Sequence, residues 1–135
     1  MTKTLIAYFS TLVAFCIIDF IWLGVVAPTF YKSRIGPLLL EKPNMLPAAI
    51  FYLLYAGGLT LFCVLPAIDG AEWTQAASMA ALLGLFAYAT YDLNNLATLK
   101  GWSGLLSIVD IAWGMTVSAA AASIGFLAVQ MFAGA

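Results

Sequence analysis

Four long apolar stretches separated by short polar segments dominate the chain. A helix that crosses a hydrocarbon core of roughly 30 Å needs about 20 apolar residues. The first stretch, Leu5 to Ala27, meets that length and stops before Pro28. The second runs from Met45 to Ala67. Asn44 stands where its N-cap belongs, and Pro47 falls in the first turn, where a missing N–H leaves nothing unsatisfied. The third runs from Gln75 to Leu99 behind a cap candidate at Thr74, and the fourth from Gly104 to Phe132 behind Ser103. This pattern predicts an all-α membrane protein, a four-transmembrane-helix bundle, with residues 1–135 as a single domain. A cleaved signal peptide describes the first stretch poorly. The run is too long, it contains Asp19, and no small-residue cleavage site precedes a soluble domain.

Small residues recur at four-residue spacing on two of the stretches: Ala76, Ala80 and Gly84 on the third, Gly114, Ser118 and Ala122 on the fourth. Such stripes let helix backbones approach closely in a membrane. They predict a tight bundle without naming a partner.

Composition agrees with the pattern. Hydrophobic residues make up 64% of the chain and charged ones 8%, too few to cover a soluble globule but enough to finish short loops. The net charge of −1 leaves no basic patch with which to bind nucleic acid. The chain has no histidine, which excludes imidazole-ligated haem, His-based metal sites and Ser-His-Asp hydrolysis. No cofactor is expected. Cys16 and Cys63 fall at different depths on different stretches, which argues against a disulfide, and both read as packing residues.

The distribution of Lys and Arg orients the bundle. Lys32, Arg34 and Lys42 lie in the first loop and Lys100 in the third, against Lys3 alone on the other side. The middle loop carries Asp69 and Glu72 and no base. By the positive-inside rule the first and third loops face the cytoplasm of a bacterial-type inner membrane, and both termini lie outside.

The candidate chemistry sits in three intramembrane carboxyls: Asp19, Asp92 and Asp110. Each costs roughly 2.5–3.5 kcal/mol at a helix centre on insertion scales. At 1.5 Å rise per residue, each falls roughly 9–12 Å below the cytoplasmic edge, so three helices present a carboxyl at one level. No basic residue lies there, and Lys100 would snorkel outward. Three ionised, unpaired carboxylates cannot share a low-dielectric site. They hold protons, share a cation or are reached by water. Trp22 follows Asp19 by three residues, and Trp113 follows Asp110 by three. Gly84, Tyr88, Asp92 and Asn95 fall on one face of the third helix. A carboxylate beside an indole suits an organic cation. Oxygen ligands alone would suit a hard metal such as Mg²⁺ or Ca²⁺. The candidate ligand-binding set is Asp19, Trp22, Tyr88, Asp92, Asn95, Asp110 and Trp113.

The same residues have blander readings. The aspartates would fix the bundle register by hydrogen bonding to Tyr88, Asn94, Asn95 or Ser107 across helices. The tryptophans would anchor the helices at the membrane interface, the favoured role for Trp73 and Trp102. Tyr52 and Tyr55, on the one span without a carboxyl, read as packing residues.

The run Thr90-Tyr91-Asp92-Leu93-Asn94-Asn95-Leu96-Ala97-Thr98-Leu99-Lys100-Gly101-Trp102 is specific. So are Asp19-Phe20-Ile21-Trp22-Leu23-Gly24 before it, Asp110-Ile111-Ala112-Trp113-Gly114 after it, and the loop Tyr31-Lys32-Ser33-Arg34-Ile35-Gly36. Together these motifs resemble the domain-of-unknown-function 2177 (DUF2177) family of small bacterial membrane proteins, across nearly the whole chain. The resemblance implies a four-helix inner-membrane protein and no particular reaction.

Three functions compete. The first is binding or transport of a small cation, or of a lipid or amphiphile with a cationic head, at the three aspartates, with protonation coupled to release. Small four-helix multidrug exporters offer an architectural analogy for it. The second is an intramembrane enzyme acting on lipid or isoprenoid, with one Asp as general acid and another as base. The third is an accessory subunit of a larger membrane complex. The expected partners are the lipid bilayer, a small cationic or lipidic ligand and, through the small-residue faces, a second copy of the chain in a homo-oligomer.

Overall fold

The computed structural model describes Met1 to Gly134; Ala135, the last residue of the expected domain, lies outside the described residues. It contains helices and no strand among those residues. Four helical segments are long and apolar enough to cross a membrane: Thr2–Val25, Met45–Gly70, Trp73–Thr98 and Gly104–Ala133. The protein is an all-α, multi-pass membrane protein.

The first span is α1, Thr2–Val25. The sequence predicts a stop before Pro28, yet the helical path runs on through it. Pro28 has no N–H to return to the carbonyl of Gly24, so Ala27–Tyr31 widens into a π turn before α2, Lys32–Ile35. A tight turn at Gly36–Leu38 ends this segment. The wide turn brings Tyr31 back over the bundle.

The second span has two halves. Helix α3, Met45–Leu59, starts at Asn44, whose side chain accepts from the Leu46 N–H at 3.2 Å. Pro66 then removes the N–H that would reach Phe62, and Thr60–Val64 becomes a second π turn, closed by Leu65 N–H on the Thr60 carbonyl. Helix α4, Leu65–Gly70, completes the span. It ends with Ala71 in the left-handed region at φ 55°, which lets the Ala71 N–H reach the last carbonyls.

The third span, α5, is Trp73–Thr98, and the fourth, α6, is Gly104–Ala133. Thr74 does not cap α5. Its position lies inside the first turn, where its hydroxyl donates to the Glu72 carboxylate, and Glu72 is the flanking residue. Ser103 does cap α6, accepting from the Leu106 N–H at 3.1 Å.

Helix α6 is the hub, with α5 on one side and α1 on the other. Both small-residue stripes are buried. A Cβ on Gly84 would fall 2.5 Å from the carbonyl oxygen of Gly114 and 2.9 Å from the Ser118 hydroxyl. One on Gly114 would enter the ring of Tyr88, and one on Gly125 would collide with the Thr11 hydroxyl. Lipid is as apolar as the side chains, so this close backbone approach gains dispersion contact rather than hydrophobic burial. Large exposed hydrophobics such as Phe9, Ile21, Leu54, Phe86 and Met131 face outward along the spans. Cys16 and Cys63 are free thiols.

Candidate functional site

A cavity of about 540 Å³ lies at the end of the bundle that carries the first and third connecting segments. Its walls come from all four spans: Asp19 and Trp22 from the first, Phe51 and Tyr52 from the second, Tyr88 and Tyr91 from the third, Asp110 and Trp113 from the fourth. Tyr31, Ile35 and Leu39 close it from the first connecting segment and Trp102 from the third. No Lys or Arg lines it.

Asp19 accepts at both oxygens. The Tyr52 hydroxyl donates to Oδ2 at 2.5 Å, and the Trp113 indole N–H donates to Oδ1 at 2.9 Å. Asp110 accepts from the Tyr31 hydroxyl at 2.5 Å, and the Trp22 indole N–H donates to that hydroxyl oxygen at 3.2 Å. The two indoles stack, with centroids 4.2 Å apart and planes 7° from parallel. The two Asp-x-x-Trp motifs are therefore cross-wired. The tryptophan of α6 serves the aspartate of α1, and the tryptophan of α1 serves, through Tyr31, the aspartate of α6. Helices α1 and α6 enter the membrane from opposite sides, so one motif read on both gives this reciprocal arrangement. Burial and donation to Asp110 both push the Tyr31 hydroxyl well above the usual tyrosine range, so it remains a donor.

Asp92 stands behind this wall and not in it. It is fully buried, and neither of its oxygens meets a donor. The Asp110 carboxyl lies in its neighbourhood. Two acceptor-only groups can satisfy each other only through a proton held between them.

Of the residues singled out from the sequence, Asp19, Trp22, Tyr88, Asp110 and Trp113 line the cavity; Asp92 is buried and Asn95 half-buried, and neither lines it. The partners of the aspartates are not those suggested by the register reading. Asn94 donates to the Thr90 carbonyl, and Ser107 receives the Trp102 indole N–H. Tyr52, read as packing, is a direct partner of Asp19. Tyr55 is buried against Ser118, hydroxyl to hydroxyl at 2.7 Å. Trp102, read as an interfacial anchor, turns inward to the cavity, whereas Trp73 is 52% exposed. Tyr31 was not singled out, because a residue three beyond a proline in a polar segment reads as loop.

This architecture agrees with one comparison. The family model described as "Predicted membrane protein (DUF2177)" matches residues 4–127. The chain belongs to the DUF2177 family. No curated protein matches it, and no solved structure matches it. The match to the DUF2177 model spans every cavity residue, from Asp19 to Trp113.

Proposed function

We propose that this membrane protein binds an organic cation, free or as the head of an amphiphile, in the cavity between Asp19 and Asp110, and moves it within or across the bilayer. The observation that carries this reading is a pair of carboxyls without a basic partner in a cavity walled by eight aromatic side chains. An ionised carboxylate has lone pairs beyond those taken by Tyr52, Trp113 and Tyr31. The rings of Tyr88, Tyr91 and Trp102, which line the same cavity, supply cation–π attraction. The Trp22 and Trp113 faces turned toward each other are already occupied, so these indoles hold the carboxyls in place rather than box the ligand. A cavity of this size suits a small organic group. A hard metal fits less well. No group of three or more acidic or Cys side chains converges among the described residues, so too few oxygen ligands meet for such an ion.

Tetramethylammonium titrated against the purified protein should change the tryptophan emission saturably. 3,3-Dimethylbutanol, a neutral compound of similar shape, should not compete. Asp110→Asn should weaken binding by about tenfold or more, the equivalent of one lost charge contact. Equal affinity for the neutral compound, or no saturable change, would discard the cation reading.

The proposal extends to orientation. Lys32, Arg34, Lys42 and Lys100 are all exposed in the connecting segments around the cavity end, which favours the cytoplasmic side of a bacterial inner membrane for the cavity and the outer side for both termini. A cysteine placed at Ser33 should then react only with reagent supplied from the cytoplasmic side; labelling from outside intact cells would reverse the orientation.

A further inference from the structure

We infer that the cavity opens sideways into the bilayer between α3 and α5, and that its ligand is an amphiphile whose cationic head meets the carboxyls while its chain lies in that opening. This rests on the cation reading above and narrows it to one class of ligand.

The opening follows from the divided second span. Helix α3 packs on α1 but makes only sparse contact with α5 and α6. Beyond the π turn at Thr60–Val64, the same span closes onto both of those helices. A wedge therefore separates α3 from α5 at the cavity end and narrows toward the middle of the membrane. Tyr55 of α3 and Tyr88 of α5 meet edge to face at its apex, 6.2 Å between centroids, with Tyr55 held by Ser118.

The edges of the wedge face lipid. Phe51 on α3 and Tyr91 on α5 both line the cavity, and they are 43% and 56% exposed. At the outer surface of a membrane-spanning helix, exposure is exposure to acyl chains. Phe51 lies nearly flat on Tyr55, with centroids 5.3 Å apart and planes 13° from parallel, so one apolar wall runs from the lipid boundary into the cavity. The loop side is less inviting to a cation. Buried Ile35 covers it together with Leu39, and the segment that carries them exposes Lys32 and Arg34. A water-borne cation would pass like charges, whereas one arriving from the bilayer would not.

An alkyltrimethylammonium with a mid-chain diazirine, photolysed on the protein in nanodiscs and mapped by peptide mass spectrometry, tests this. Label should concentrate on Phe51, Tyr91 and their neighbours in the wedge, and excess tetramethylammonium should remove it. An alkyl sulfate bearing the same diazirine should not label the wedge. Label spread over the outer faces of all four spans, with tetramethylammonium still bound, would overturn the lateral opening and leave the cation reading intact. Wedge labelling shared equally by the sulfate would overturn the charged-head assignment. Failure of tetramethylammonium to bind at all would remove the cation reading itself.

Discussion

At Gly84, α5 lies directly against Gly114 and Ser118 of α6, and buried Ala76 and Ala80 continue the same small-residue stripe. Around the cavity, the same bundle is held apart by rings, and its polar groups find one another across the gap. Both regions lie in one membrane and draw on the same helices. Small side chains permit backbone contact, which fixes the helix pair rigidly. Aromatics around carboxyls hold helices apart, and each hydrogen bond there offsets part of the cost of placing an acid in the membrane. The first region is a clamp and the second a chamber. Gly114 belongs to both, because its missing side chain lets the Tyr88 ring lie on α6 at the chamber wall.

The largest effect should come from breaking the clamp. Gly84→Leu places a branched side chain where even a Cβ falls 2.5 Å from a backbone carbonyl of α6, which cannot yield as a flexible side chain would. Overpacking of this kind typically costs 1–3 kcal/mol and sometimes more, so about that much should be lost here. The expected result is a sharp fall in folded, monodisperse protein after detergent extraction. Leu127→Phe, on a residue 45% exposed along the lipid face of α6, should leave yield unchanged. Equal tolerance at the two positions would erase the distinction between clamp and chamber.

The spans and the clamp were both legible in the sequence, for different reasons. Length and hydropathy disclose a span because lipid demands about 20 apolar residues in a row. Four-residue spacing discloses a clamp because it is the spacing of one helix face. Caps at Asn44 and Ser103 were legible because a short polar side chain before an apolar run has one local partner, the nearby N–H groups. The chamber was harder to read. The common level of the three aspartates followed from counting residues, but the direction each faces depends on rotation about the helix axis. Two π turns, at Ala27–Tyr31 and Thr60–Val64, change that rotation mid-path. The prolines that cause them, Pro28 and Pro66, are visible in the sequence, but their effect on Tyr31 and on the splay of α3 is not. Trp102 was misread because an indole near a membrane edge has the same sequence context whether it faces lipid or the bundle.

A smaller effect should separate the buried acid from the two in the chamber. Asp92 has no donor for either oxygen, so it contributes burial cost without compensation. In Asp92→Asn, the amide would donate permanently to Asp110 and remove one potential charge from the bilayer. Thermal stability in mild detergent should hold or rise, by about 1 kcal/mol, as is common when a group is retained for function rather than for the fold. Asp19→Asn gains no such donor pair, because Tyr52 and Trp113 already supply Asp19, and an amide nitrogen would face one of those donors. Its stability should fall. Unfolding of the Asp92 variant under conditions that the wild type survives would make Asp92 a structural residue and join it to the clamp.

The finest comparison trims single donors around Asp19. Tyr52→Phe removes the hydroxyl on Oδ2, and Trp113→Phe removes the indole N–H on Oδ1. Each should cost about 0.5–1.5 kcal/mol, the usual net range for one intramolecular hydrogen bond. The two losses should not add. With one donor gone, the remaining donor bears more of the carboxyl's satisfaction, so the double variant should cost more than the sum, by an interaction energy of about 0.5 kcal/mol or more. Trp113→Phe also shortens the stack with Trp22, and Phe, which has ring area but no N–H, limits that loss. Tyr8→Phe supplies the baseline, because its exposed hydroxyl donates only to the Leu53 carbonyl and touches neither region's polar groups. It should change stability by less than about 0.5 kcal/mol. If Tyr52→Phe and Trp113→Phe proved as silent as Tyr8→Phe and simply additive, the hydrogen bonds on Asp19 would contribute nothing to holding the chamber open. Ring packing alone, Phe15 against Tyr52 at 5.7 Å and Phe20 against Tyr52 at 5.6 Å, would then have to do so.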